Sequence, residues 1–299
     1  MKIAFAAALL AAALAAPGAR AAEPEAAATA VLQGLHYQTG DIALPSAAAA
    51  LHVQPGFRYL GHDDTRTVLE KYWHNPPDDS VLGLLVPDGA PLESDHSWAV
   101  LVTYSDDGYV SDADAAKIDY DEILADMKKS TIDENKERKE AGYDEIEIVG
   151  WAQPPRYDAA GKRLYWAREL ALKGGSAQNT LNYDIRVLGR AGYLSMNAIA
   201  GMNDLALVSD GMTRVLPMAE FDAGKRYADY KPGVDKAAAY GIAALVGGGL
   251  AAKAGLFAKL GVLLLAMKKF VVIGLVALGG LLKKLFGGGK NDQPPGTVS

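Results

Sequence analysis

For fifty residues, from 237 to 286, the chain carries no acidic side chain. The stretch is rich in Ala, Gly, Leu and Val and is interrupted only by Lys253, Lys259, Lys268, Lys269, Lys283 and Lys284. It is too long and too poor in polar positions for a soluble core helix, so a helical membrane anchor is expected over 237–286. The preferred span is 237–254, followed by two shorter helices at the cytoplasmic leaflet with Lys268 and Lys269 at the interface. A span over 264–282 is the rival, although a lysine inside a span costs about 2.5–3.5 kcal/mol. A two-span hairpin is third, because it would leave Lys283 and Lys284 outside. Ala243, Gly247 and Ala251 fall at small-xxx-small spacing, as do Ala244, Gly248 and Ala252. That spacing lets another helix approach closely. Residues 287–299, which open with three glycines, read as a flexible polar tail.

The other end reads as an export signal. Lys2 provides a positive start, residues 3–16 an apolar core, and Pro17-Gly18 break it before the small residues of Ala19-Arg20-Ala21. An apolar helix of that length reaches about 21 Å, short of a hydrocarbon core of about 30 Å. Cleavage after Ala21 is therefore expected, with an uncleaved anchor as the alternative. The chain has no cysteine, which excludes lipoprotein processing and requires an exported body to stand without disulfides.

Charge divides the chain unequally. The head carries Lys2 and Arg20, and the tail seven lysines against Asp292. The body keeps 21 basic and 35 acidic residues, a net of −14. Such a body argues against nucleic acid and against lying flat on anionic lipid. The basic tail argues for a cytoplasmic C-terminus, with the main domain in the periplasm at the inner membrane.

Within the body, short apolar runs alternate with turns. Residues 57–60, 81–86 and 98–104 have strand character, and Asp63-Asp64-Thr65 can cap a helix that ends near Tyr72. A second helix is expected from Asp119 to a C-terminal glycine at Gly142. Beyond it the period becomes two. Ile146 and Ile148 alternate with Glu145 and Glu147; Leu164, Trp166, Leu170 and Leu172 share a face with Arg168. Tyr183, Ile185 and Val187 repeat the pattern before a strand over 193–200, which together makes an antiparallel meander. Leu205, Val208, Met212 and Val215 then form one face of a helix beginning at Asn203. The expected class is α+β: an antiparallel sheet with packed helices in an exported domain over 22–236, then the membrane anchor. Residues 221–235 read as the connector between them.

These residues carry a resemblance. The segments are GYVSD at 108–112, NKERKEAGY at 135–143, GWAQPPRYD at 150–158 and LYWA at 164–167. LNYDIRVLGRAGYLSMN follows at 181–197, AGKRYADYKPGVDKAAAYGIAALVGG at 223–248 and AAKAGLFAKLGVLLLAMKKF at 251–270. Together they resemble a bacterial family of membrane-anchored proteins known only as domain of unknown function 2167. The resemblance covers about residues 32–286 and implies a signal-bearing, tail-anchored envelope protein. It implies no catalytic residue, cofactor or substrate.

The five histidines, His36, His52, His62, His74 and His96, lie in the first third beside several aspartates, without the spacing of a metal motif. Ser97 beside His96 lacks a nucleophile elbow, and no phosphate loop is present. Asn135, Arg138, Arg168, Asp184, Arg186 and Arg190 can form one charged cluster. It reads first as ion pairs tying helix to sheet, and otherwise as an interaction site. Tyr157, Tyr165, Trp166, Tyr183 and Tyr193 read as core aromatics, with a binding groove as the alternative. The expected function is a non-enzymatic envelope scaffold without a cofactor. It would meet membrane lipid, and a protein partner or a second copy through the anchor. An envelope hydrolase, metal-dependent or serine-based, in the N-terminal third is the alternative.

Overall fold

The computed structural model describes residues 30–247 other than 74, 76, 95, 141–143 and 174–177. The expected export signal lies outside the described residues, as do His74, Gly142 and everything from Gly248 onward, including Ala251. The described residues form a mixed α+β structure dominated by a large antiparallel sheet.

In chain order the strands are β1 (Tyr37–Gln38), β2 (Gly40–Leu44), β3 (Ala49–Val53), β4 (Phe57–Gly61), β5 (Val81–Pro87) and β6 (Ala99–Ser105). Next come β7 (Tyr109–Ser111), β8 (Ile146–Asp158), β9 (Arg163–Leu172), β10 (Thr180–Leu188) and β11 (Tyr193–Gly201). β12 (Ala219–Phe221) and β13 (Ala237–Gly241) complete the set. Helix α1 (His62–Arg66) continues as a π-helical stretch over Thr67–Tyr72. It is followed by α2 (Tyr120–Glu140), α3 (Leu205–Val215) and the short α4 (Ala243–Val246). Eight strands make the large sheet, in the order β1-β4-β5-β6-β11-β10-β9-β8. β12-β3-β2 form a second sheet, and β13 pairs with β7.

Register explains the layers. β10 pairs with β9 from Thr180↔Leu170 to Val187↔Arg163, and with β11 from Thr180↔Gly201 to Leu188↔Tyr193. Because side chains alternate across a strand, Leu181, Tyr183, Ile185 and Val187 all leave one face, and Asn182, Asp184 and Arg186 the other. The first face is buried under the three-stranded sheet and α3. There Leu51, Val53 and Phe221, with Val208, Met212 and Val215, share a core with Tyr59, Val102, Ile185 and Met196.

The second face is covered piecemeal. The α1 region packs Val68 and Leu69 on Leu60, Leu84, Leu101 and Ile199. α2 sets Met127 on Ile146, Ile148 and Leu170. Tyr227, Ile242, Leu245 and Val246 cover Val110, Leu164, Trp166 and Leu188.

The meander and the two longer helices stand where the periodicity puts them. α2 is capped by Asp119, whose Oδ1 accepts from the backbone N–H groups of Asp121 and Glu122 at 3.0 Å each. The start of α1 differs from expectation. Thr65 is buried and turns inward, donating to the Leu60 carbonyl at 3.0 Å. Asp64 accepts from the His36 N–H at 3.0 Å and does not cap the helix.

The larger correction concerns the C-terminal segment. Residues 221–235 are no free connector: Phe221 ends β12, and Tyr227 is buried. Nor do residues 237–247 begin a membrane helix. Ala237–Gly241 is a strand parallel to β7, with Ala237↔Tyr109 and Gly241↔Ser111 in register. α4 follows, with Ile242, Leu245 and Val246 buried on the body. Small residues suit strand or helix here, and the open edge of β7 over an apolar patch decides the outcome. Gly108 admits the pairing: its φ is +104°, and a Cβ there would lie 2.7 Å from the Lys236 carbonyl oxygen. The folded body therefore passes residue 236. Among the described residues no helix is long and apolar enough to cross a membrane.

Candidate functional site

Between the pieces that cover the second face, the middle strands present polar side chains where an apolar core would be simplest. Asp184 on β10 is almost fully buried and accepts from two guanidinium groups. Arg168 Nη2 lies 2.8 Å from its Oδ2, and Arg186 Nη1 3.0 Å from its Oδ1. Arg168 Nη2 also donates to Asn182 Oδ1 at 2.8 Å. Asn197 on β11 donates to Asn182 Oδ1 at 2.9 Å and to Asp184 Oδ1 at 3.0 Å. Register alone makes this possible, since Asn182 faces Arg168 and Asp184 faces Asn197 across the strands. Arg186 lies over the Trp166 ring, 5.0 Å from its centroid, so its charge rests on an aromatic face.

The expected six-residue cluster thus breaks up. Arg168, Asp184 and Arg186 do meet. Asn135 exchanges two hydrogen bonds with the backbone of Ile146, at 2.7 and 2.8 Å, and pins α2 to β8. Arg138 donates through Nε to the Asp144 carbonyl at 2.9 Å. Arg190 sits past the end of β10 and grips Asp235. The sequence reading missed Asn182 and Asn197, because polar residues alternating with apolar ones read as an open sheet face. The aromatic set divides as well. Tyr165 and Tyr183 belong to the first face, whereas Tyr157, Trp166 and Tyr193 belong to the second, so the five form no common groove.

A second polar group locks the C-terminal segment. Asp112 accepts from the Tyr157 hydroxyl at 2.6 Å and from Lys162 Nζ at 2.8 Å. The Tyr227 hydroxyl donates to the Val110 carbonyl at 3.0 Å and accepts from the Asp112 N–H at 3.1 Å. Burial works against the Asp112 charge, but the hydrogen bonds of Lys162 and Tyr157 outweigh it and hold its pKa below the usual carboxylate value. The same burial, with the nearby Asp112 carboxylate, pushes the Tyr157 hydroxyl well up. Tyr109 stacks on Tyr230 at 3.8 Å and on Tyr227 at 4.5 Å between ring centroids. Tyr240 on β13 donates to the Asp107 carboxylate.

Of the small residues assigned to membrane-helix packing, Ala243 begins α4 and its N–H lies 3.3 Å from Asp114 Oδ2. Gly247 caps the same short helix. The described histidines lie apart with separate partners. His52 Nδ1 is 2.7 Å from Asp41 and His96 Nδ1 2.9 Å from Asp204, while His62 Nδ1 is 2.7 Å from the Val81 carbonyl. Among the described residues no three histidine or carboxylate side chains converge on a metal position.

Solved structures resemble the chain distantly. The cyanobacterial PsbP of Synechocystis matches with a TM-score of 0.35 and 10% identity, covering 62% of this chain and 92% of that one. The Saccharomyces cerevisiae Ran-binding protein Mog1p matches with a TM-score of 0.30 and 12% identity, covering 62% and 96%. No match was found among curated proteins. The sequence profile described as "Protein of unknown function (DUF2167)" matches residues 36–279, and the chain belongs to that family.

Proposed function

We propose that the protein is a non-enzymatic, membrane-anchored envelope protein whose acidic body is presented to a partner from the inner membrane. The observation that carries this reading is the locked C-terminal segment. β13 and α4 take the opening of the apolar, lysine-bearing stretch into the body, and the rest of that run would start from there. Ile242, Leu245 and Val246 are buried on the sheet, and Asp235 is held by Arg190. The family match continues to residue 279, through most of that run.

With 237–246 folded into the body, we take residues 264–282 as the span. Its nineteen residues would reach about 28 Å as a helix, close to a hydrocarbon core of about 30 Å. Lys268 and Lys269 lie near one end, from which their long side chains reach the interface. Lys283 and Lys284 then stand on the cytoplasmic side. A phosphatase reporter that is active only after export, fused after Gly247 and separately after Lys290, tests this arrangement. Activity is expected in the first fusion alone. Activity in both would require a hairpin, and activity in neither would remove the export reading.

A further inference from the structure

Among the described residues, three buried N–H groups on the second face of the large sheet have no partner: Nε1 of Trp151, Nε1 of Trp166 and Nε of Arg168. The fold makes them neighbours. Trp151 on β8 pairs directly with Arg168 on β9, and Trp166 stands two residues before Arg168 on the same side of the strand. Trp151 packs with both the α2 cluster and the C-terminal cluster, so the three lie in the seam between those two covers.

All three are donors. The acceptors beside them are already engaged: Asp184 by Arg168, Arg186 and Asn197, and Asn182 by Arg168 and Asn197. A buried donor without an acceptor is costly, and three on adjoining positions of one sheet face favour an acceptor among them. The charges agree. Arg168 and Arg186 face the single carboxylate Asp184, leaving the group formally one positive charge in excess. A water molecule fits less well, because its own hydrogens would need acceptors among groups that are mostly donors. An oxyanion supplies acceptors only and cancels the excess charge.

We propose that Trp151, Trp166, Arg168 and Arg186 form a binding site for a small oxyanion, a phosphate or carboxylate group, between α2 and the C-terminal segment. The site does not depend on the anchor reading. The group can arrive free or as part of a lipid headgroup.

The test uses the full chain in an uncharged, phosphate-free detergent. Inorganic phosphate and acetate are titrated separately at constant ionic strength, and tryptophan fluorescence and Tm are followed. A saturable change with a raised Tm is expected for at least one anion. Trp151→Phe and Trp166→Phe keep the six-membered aromatic ring and lose the N–H together with the pyrrole half of the indole. Each should weaken binding about tenfold or more, beyond any fall in anion-free Tm that the smaller ring brings at buried Trp166. Arg168→Lys keeps the charge but loses the guanidinium that also holds Asp184 and Asn182, so it should lower both the anion response and the anion-free Tm. Repeating the phosphate titration in nanodiscs separates the sources. Loss of the response with phosphatidylglycerol, but not with a phosphate-free glycolipid, assigns the site to headgroups; a response in both assigns it to the free anion. No saturable response to either anion, or equal binding by the two phenylalanine variants, overturns the proposal.

Discussion

Arg190 and Asp235 meet at two points, Nε to Oδ2 at 2.8 Å and Nη2 to Oδ1 at 2.7 Å, and this pair closes the segment between β12 and β13 onto the turn after β10. Asp235 also accepts the Lys231 N–H at 2.7 Å, which shapes the approach to β13. The hydrogen bonds of Arg190 and of Lys231 lower the Asp235 pKa from 3.8 to about 2.

The sign of the pH dependence follows. A depressed carboxylate stabilises the fold fully above its unfolded value of 3.8 and loses that contribution as pH falls through about 2. Between those values, hydrogen exchange at 237–241 should quicken in the wild type. Asp235→Asn should show faster exchange already at neutral pH and a flatter response to acid. Identical profiles for the two proteins would mean that the pair does not hold β13.

Asp184 presents a different case, since its side chain is 2% exposed between two arginines. Asp184→Ala would leave both guanidinium groups without their carboxylate, and breaking a buried pair in this way costs about 3–5 kcal/mol. Replacing Arg168 and Asp184 together, as Arg168→Met with Asp184→Leu, should recover part of that loss, since only Arg186 is then left without its carboxylate. Urea unfolding of the three proteins measures it. A double variant no more stable than Asp184→Ala would show that packing, and not charge, sets the cost.

Gly108 tests the entry of β13 from the opposite side. Gly108→Val would place a branched side chain at φ +104° and drive its Cβ toward the Lys236 carbonyl. Backbone strain of this type costs about 1–3 kcal/mol. The loss should appear as faster exchange at 109–111 and 237–241, with β9 to β11 unaffected.

Much of the body was legible because its signals are local. Ile146 and Ile148, Leu164 to Leu172 and Tyr183 to Val187 each keep a two-residue period, so the meander could be read without knowing its partners. Asp119 and the stripe of Val208, Met212 and Val215 likewise announce helices from within themselves. The polar site was half legible. Arg168, Asp184 and Arg186 stood out as charges inside apolar strands, but Asn182 and Asn197 join them only through register with neighbouring strands. Arg190 follows Arg186 closely in sequence, yet it lies beyond β10 and finds Asp235. The C-terminal segment was misread for the same reason. Ala237 to Val246 has a composition that suits a membrane helix or a buried strand and turn, and the choice rests with Tyr109–Ser111, far away in the chain.

That misreading makes a boundary prediction possible. A chain ending at Lys236 loses β13 and α4, exposing the surface that Val110, Leu164 and Trp166 now share with Ile242, Leu245 and Val246. Burying a large aliphatic side chain is worth about 1.5–3 kcal/mol, so the loss of these three approaches the whole stability of an ordinary domain. Residues 22–236 alone should therefore be aggregated or bind hydrophobic dyes. Residues 22–247, which add only eleven positions, should be monodisperse and unfold cooperatively. Size-exclusion chromatography and thermal unfolding of the two chains decide the matter. Equal behaviour would show that β13 and α4 rest on the body without stabilising it, and would return the domain boundary to residue 236.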